Sequence, residues 1–156
     1  MMIKSSSKAH GMVQLSAPVS GRCIPLYAAY IPQSFFAQLG QGFVIVPTDG
    51  IVTAPFDATI TRASEDRRTV VLVDQKTGCV AVIAADYHGN ADTFHLNVRP
   101  DQKVSKGDTL FTLDTSKLRM GTRSVLIPCV VTNMYPAETH YGDAIRSDTT
   151  VLTAIA

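Results

Sequence analysis

Thr69-Val70-Val71-Leu72-Val73, a turn at Thr77-Gly78, and then Cys79-Val80-Ala81-Val82-Ile83 decide the fold class of this chain. Both runs are rich in β-branched residues and have the length of strands. Their apolar positions do not alternate strictly, which predicts strands covered on both faces, as in a sandwich or a flattened barrel. Similar runs lie at 43–46, 51–54, 59–61, 110–113 and 125–131. They are separated by turn formers such as Asp49-Gly50, Pro55, His88-Gly89-Asn90, Lys106-Gly107-Asp108 and Tyr141-Gly142-Asp143. Turn signals at such short intervals belong to many short strands. The helix candidates are brief: 32–39, with Ser34 placed to cap it, and 116–119. The reading is an all-β sandwich with short helical turns.

A chain of 156 residues is long enough for one domain with a sizeable core. Residues 1–12 include Lys4-Ser5-Ser6-Ser7-Lys8 and have no apolar periodicity. They are expected to form a flexible leader before a domain at 13–156. With 14 basic against 13 acidic residues, nothing points to nucleic acid as a partner, and other proteins are expected instead. Cys23, Cys79 and Cys129 are far apart, odd in number and set in apolar stretches. They read as buried thiols of a reducing compartment. No stretch has the ~18 consecutive apolar residues that a spanning helix needs. The expectation is a cytoplasmic protein without membrane insertion and with no cofactor.

Six motifs then occur in order. They are Ala17-Pro18-Val19-Ser20-Gly21, Phe36-Ala37, Pro47-Thr48-Asp49-Gly50, Ala54-Pro55-Phe56-Asp57-Ala58-Thr59-Ile60, Lys103-Val104-Ser105-Lys106-Gly107-Asp108-Thr109-Leu110, and Pro128-Cys129-Val130-Val131-Thr132-Asn133. No single one is specific, since turns such as Ala-Pro-x-x-Gly and Val-x-x-Gly-Asp also occur in biotinyl and lipoyl carriers and in related β-sandwich hydrolases. As an ordered set, the motifs resemble the glucose-type enzyme IIA domain of the bacterial phosphoenolpyruvate-dependent sugar phosphotransferase system. The resemblance implies a β-sandwich with internal pseudo-symmetry and a shallow active surface. It also implies a histidine that accepts phosphate from the small phosphocarrier protein and passes it to an enzyme IIB domain, and a second histidine that holds the phosphate.

That chemistry is missing at the positions the resemblance assigns. The accepting histidine should follow a glycine by about six residues, at the end of an apolar strand. Gly78 to Ala84 is that strand, and a methyl group has no lone pair with which to attack phosphorus. The second position falls on Arg68 or Thr69, neither of which replaces an imidazole. The following loop, Ala85-Asp86-Tyr87-His88-Gly89-Asn90, is altered and shorter, and Ser64 stands where an aromatic residue is usual.

The reading that follows is a regulatory or docking module in sugar uptake, a pseudoenzyme whose docking surface would comprise Phe35, Phe36, Leu39 and Ala84. Its expected partners are the phosphocarrier protein, an enzyme IIB/IIC permease or a regulated transporter. An alternative keeps phosphoryl transfer by relocating it to His88, four residues beyond Ala84. A minor alternative is a divalent-metal site at His88, Asp92 and His95, since related β-sandwich metallohydrolases carry a histidine in a context like Phe94-His95-Leu96. Arg67 and Arg68, with Arg62 nearby, form a basic cluster. It is a candidate anion site if the guanidiniums turn toward Ala84.

Overall fold

The structure is a computed structural model that describes residues 11–29 and 40–156. Its strands are β1 (Met12–Ser16), β2 (Gly21–Pro25), β3 (Gln41–Pro47), β4 (Ile51–Thr53), β5 (Ala58–Ser64), β6 (Thr69–Asp74), β7 (Val80–Ala84) and β8 (Asp86–Tyr87). Then follow β9 (Phe94–Leu96), β10 (Lys103–Val104), β11 (Thr109–Leu113), β12 (Val125–Val131), β13 (Tyr135–Thr139), β14 (Gly142–Ala144) and β15 (Thr150–Ile155). Short 3-10 turns occupy Leu26–Ala29, Ala91–Thr93 and Thr115–Lys117. The all-β expectation holds.

Nine strands build the main sheet, in the order β10-β5-β6-β7-β12-β3-β2-β14 with β8 pairing to β12. Two three-stranded sheets, β1-β15-β13 and β4-β11-β9, complete the sandwich. Every residue of Val125–Val131 is buried. Its strand lies at the centre of the main sheet between β3 and β7, which explains an unbroken apolar run there. Strand β6 instead alternates, placing Val70 and Leu72 in the core and Thr69, Val71 and Val73 on the other face. The Asp74 carboxylate ends that strand by accepting from the Thr77 amide at 2.8 Å and its hydroxyl at 2.6 Å. Gly78 follows at φ 77°, a conformation that favours glycine, and the chain turns back into β7.

The core contains Leu15, Phe43, Ile45, Leu72, Ile83 and Ile127, with Phe94 and Phe111 at 4.7 Å between ring centroids. Close approach of β3 to β12 depends on Gly42, where a Cβ would run into the Cys129 carbonyl.

Several boundaries differ from the sequence reading. Strand β1 begins at Met12, inside the expected leader, because Met12 pairs with Ile155. The run 51–54 ends at Thr53, since the Ala54 amide turns to the Asp108 carbonyl at 2.9 Å. The helix expected at 116–119 is a single 3-10 turn that starts earlier. Asp114 draws it back by accepting from the Ser116 amide at 3.1 Å and its hydroxyl at 2.6 Å. The helix expected at 32–39 lies outside the described residues.

Candidate functional site

Strand alternation sorts the residues of β7 between two faces. Ala81 and Ile83 belong to the main core, so Val82 and Ala84 face the opposite side of the sheet. On one flank Ala84 pairs with Thr69. On the other, the register that sets Cys129 opposite Ile83 and Val125 opposite Tyr87 puts Pro128 opposite Ala84. Pro128 also pairs with Val44, and Val44 with Ile24. One cross-strand row therefore runs Thr69, Ala84, Pro128, Val44, Ile24. Beside it Val46 and Leu126 join Ile24 and Val44 in an apolar cluster separate from the main core. Ala84 is only 2% exposed, so its methyl offers a partner almost no accessible area.

Thr69 is the residue that pairs with Ala84, while Arg68 stands just before β6 at φ 51°. Its carbonyl accepts from the Ala85 amide at 3.0 Å. Its side chain crosses to the loop after β7, where Nη1 donates to the Tyr87 carbonyl at 2.7 Å and Nη2 to the Gly89 carbonyl at 3.0 Å. The guanidinium also lies 3.9 Å from the Tyr87 ring centroid. Arg68 thus staples the loop on either side of His88. Burial raises the Tyr87 pKa, and the nearby Arg68 charge offsets part of that rise. The buried Tyr87 hydroxyl finds no hydrogen-bond partner among the described residues.

Residues 13–136 match the family model of the phosphoenolpyruvate-dependent sugar phosphotransferase system, EIIA 1. The chain belongs to this EIIA family. Among curated relatives it is 31% identical over 126 residues to the glucose-specific EIICBA component of Staphylococcus saprophyticus, covering 78% of this chain and 18% of that one. It is 30% identical over 148 residues to the mannose-specific EIIBCA component of Corynebacterium glutamicum, covering 90% of this chain and 21% of that protein. The EIIA chain thus spans about a fifth of the length of these relatives. Glucose permease IIA from Mycoplasma capricolum shares the fold at a TM-score of 0.76 and 21% identity, over 91% of this chain and 95% of that one.

The remaining candidates of the EIIA domain scatter. His88 is exposed on the stapled loop. Asp92 is held by Lys117 at 2.7 Å, an ion pair that lowers the Asp92 pKa and raises that of Lys117. His95 is an exposed residue of β9 opposite Thr112. Among the described residues no group of three or more His, Cys, Asp or Glu side chains could hold a metal ion, so His88, Asp92 and His95 do not converge. Arg68 has spent two N–H groups on carbonyls, which weakens the basic cluster as an anion site, whereas Arg62 and Arg67 are exposed. Phe35, Phe36 and Leu39 lie outside the described residues. No helix is long and apolar enough to cross a membrane among the residues described.

Sequence reasoning missed the staple, because a guanidinium reaching two carbonyls about twenty residues away leaves no periodic signal. It also missed the second apolar face, whose members come from three strands that meet only in the fold.

Proposed function

We propose that this EIIA domain is a docking or regulatory module of sugar uptake that does not carry phosphate at the family's usual position. The observation that carries the reading is Ala84: the strand end that should offer a nucleophile offers a buried methyl. Arg68 supports it, because its side chain donates two N–H groups to carbonyls of the next loop, which leaves fewer for a phosphate. A fold that has lost its nucleophile still presents a surface, and binding outlasts chemistry on many scaffolds. The partners we propose are the phosphocarrier protein, an enzyme IIB/IIC permease or a regulated transporter, met in the cytoplasm.

The test is incubation of the purified chain with radiolabelled phosphoenolpyruvate, enzyme I and the phosphocarrier protein. No stable label is expected on the chain, and stable labelling would overturn the proposal. His88 supports a second reading, since it is exposed on a braced turn and free imidazole is nucleophilic at neutral pH. That reading requires labelling that His88→Ala abolishes; labelling that survives the substitution removes it.

A further inference from the structure

The main sheet ends at β14, and beside that edge lies a cleft of about 500 Å³. It opens on the face that carries Ala84, two to three strands further along, for Val46 and Ile24 of the second apolar cluster form its floor. Arg22, Arg123 and Asp143 supply charge to its walls, and Ile145 stands at its lip. A volume in the ~300–1,000 Å³ range admits several side chains at once.

Three observations indicate what the cleft takes. Exposed large apolar side chains flank this end of the sheet. Ile145 is 61% exposed and Tyr141 52%, one at each end of β14, while Tyr27 is 88% exposed just past the end of β2, which pairs with β14. Tyrosines of this kind are enriched at interfaces because they bring apolar area and a polar tip at little entropic cost. Next, Arg22 and Asp143 are cross-strand partners, yet they form no ion pair, and Arg22 has no side-chain hydrogen bond among the described residues. Two guanidiniums against one carboxylate leave the cleft with an excess of one positive charge. Finally, β14 is the terminal strand of the sheet order, so its outer backbone edge pairs with no strand among the described residues. Such an edge accepts an extended chain by main-chain hydrogen bonding.

We propose that this cleft docks an extended peptide segment of a protein partner that carries carboxylates between large apolar side chains. The segment's backbone runs along β14, a large apolar side chain packs on Ile145 at the lip, and a carboxylate reaches across to Arg22 in the next strand. The apolar walls distinguish this ligand from a bare anion, and the net positive charge distinguishes it from a basic peptide. The site is separate from the Ala84 position, so it stands whether or not the domain is phosphorylated.

The experiment is a titration of the ¹⁵N-labelled full chain, followed by amide chemical shifts. The probe is the peptide acetyl-Leu-Glu-Phe-Glu-Leu-amide, with counterparts in which Gln or Lys replaces Glu. The glutamate peptide is expected to give saturable shifts centred on Arg22, Ile24 and residues 143–145, and to weaken with added salt. Arg22→Glu, an exposed change whose spectrum reports an intact fold, is expected to weaken binding roughly tenfold or more. Asp143→Asn should tighten it, and Ile145→Ala should weaken it through lost apolar contact. Equal binding of the Lys peptide, saturable shifts confined to another face, or no saturable shifts at all overturns the proposal. Phosphoryl labelling of the chain would sink the non-phosphorylated reading and leave this titration untouched, so the two failures are distinguishable.

Discussion

Replacing Arg68 by alanine and, separately, by glycine tests the loop staple and the backbone beneath it together. Arg68 sits at φ 51°, where a non-glycine residue carries a penalty of about 1–2 kcal/mol that glycine escapes. Its guanidinium makes two hydrogen bonds to carbonyls and one contact with the Tyr87 ring. The side chain is only partly buried, so we take about 1 kcal/mol for each hydrogen bond and about 0.5 kcal/mol for the ring contact. Arg68→Ala loses all three while keeping the unfavourable φ, and is expected to destabilise by about 2–3 kcal/mol. Arg68→Gly loses the same contacts but relieves the backbone, so it should come out about 1 kcal/mol more stable than the alanine variant, less any extra entropy of the unfolded chain. At an ordinary strand or helix position the order is reversed, with glycine the worse by about 0.5–1 kcal/mol. Urea unfolding followed by circular dichroism gives both differences. Amide exchange at residues 87–90 should also accelerate in both variants as the loop comes free. An alanine variant equal to wild type, or a glycine variant less stable than alanine, would refute the staple or the strained backbone respectively.

Two further outcomes follow from buried groups. Burial holds Cys23 and Cys79 at about 12 against an ordinary 9.0, and pushes Cys129 up as well. Thiols whose folded pKa is raised stabilise the fold fully below pH ~9 and lose that contribution as pH climbs toward ~12, because the unfolded chain ionises first. At pH 10 each contributes a loss of about 1.4 kcal/mol, or about 4 kcal/mol for the three. Urea midpoints at pH 8 and pH 10 should differ accordingly, and a chain with all three replaced by alanine should show a much smaller drop; an unchanged wild-type midpoint contradicts the burial. Tyr87→Phe removes a buried hydroxyl that has no partner among the described residues, and is expected to be neutral or to stabilise by up to about 1 kcal/mol in the same assay. A loss above that size would mean that the hydroxyl is satisfied.

The fold was legible because its signal is local. The run 125–131 announces a central strand, since covering on both faces demands apolar residues at consecutive positions, and it forms Val125–Val131 in the structure. Three of the strands that escaped notice, β2, β13 and β14, had no such demand over their whole length. In β13 most side chains are exposed or half-buried, and Pro136 and Glu138 break the apolar pattern. Strand β2 joins Arg22 to Cys23-Ile24 in five residues, and β14 has only three. Short edge strands take their place from the strand they pair with, and that partner cannot be read from their own sequence.

The candidate site shows the same limit from the other side. The position that the family resemblance assigns to the nucleophile can be read as one residue, because Gly78 to Ala84 places it by counting along a single strand. What fills the space around it cannot, for Thr69, Pro128 and Val44 become its neighbours through the registers of four adjacent strands. Arg68 is the sharpest case. In sequence it is one of two adjacent arginines, and charge alone makes both plausible anion ligands. In the fold Arg68 stands at φ 51° and its guanidinium donates to the carbonyls flanking His88. The same residue that could have bound a phosphate thus holds the loop in place. On the proposed reading the absent histidine and the fixed loop belong together, since Arg68 braces the turn that carries His88 beyond the strand end at Ala84. The charged cleft beside β14, floored by Ile24 and Val46, is the place we propose for a partner of such a domain.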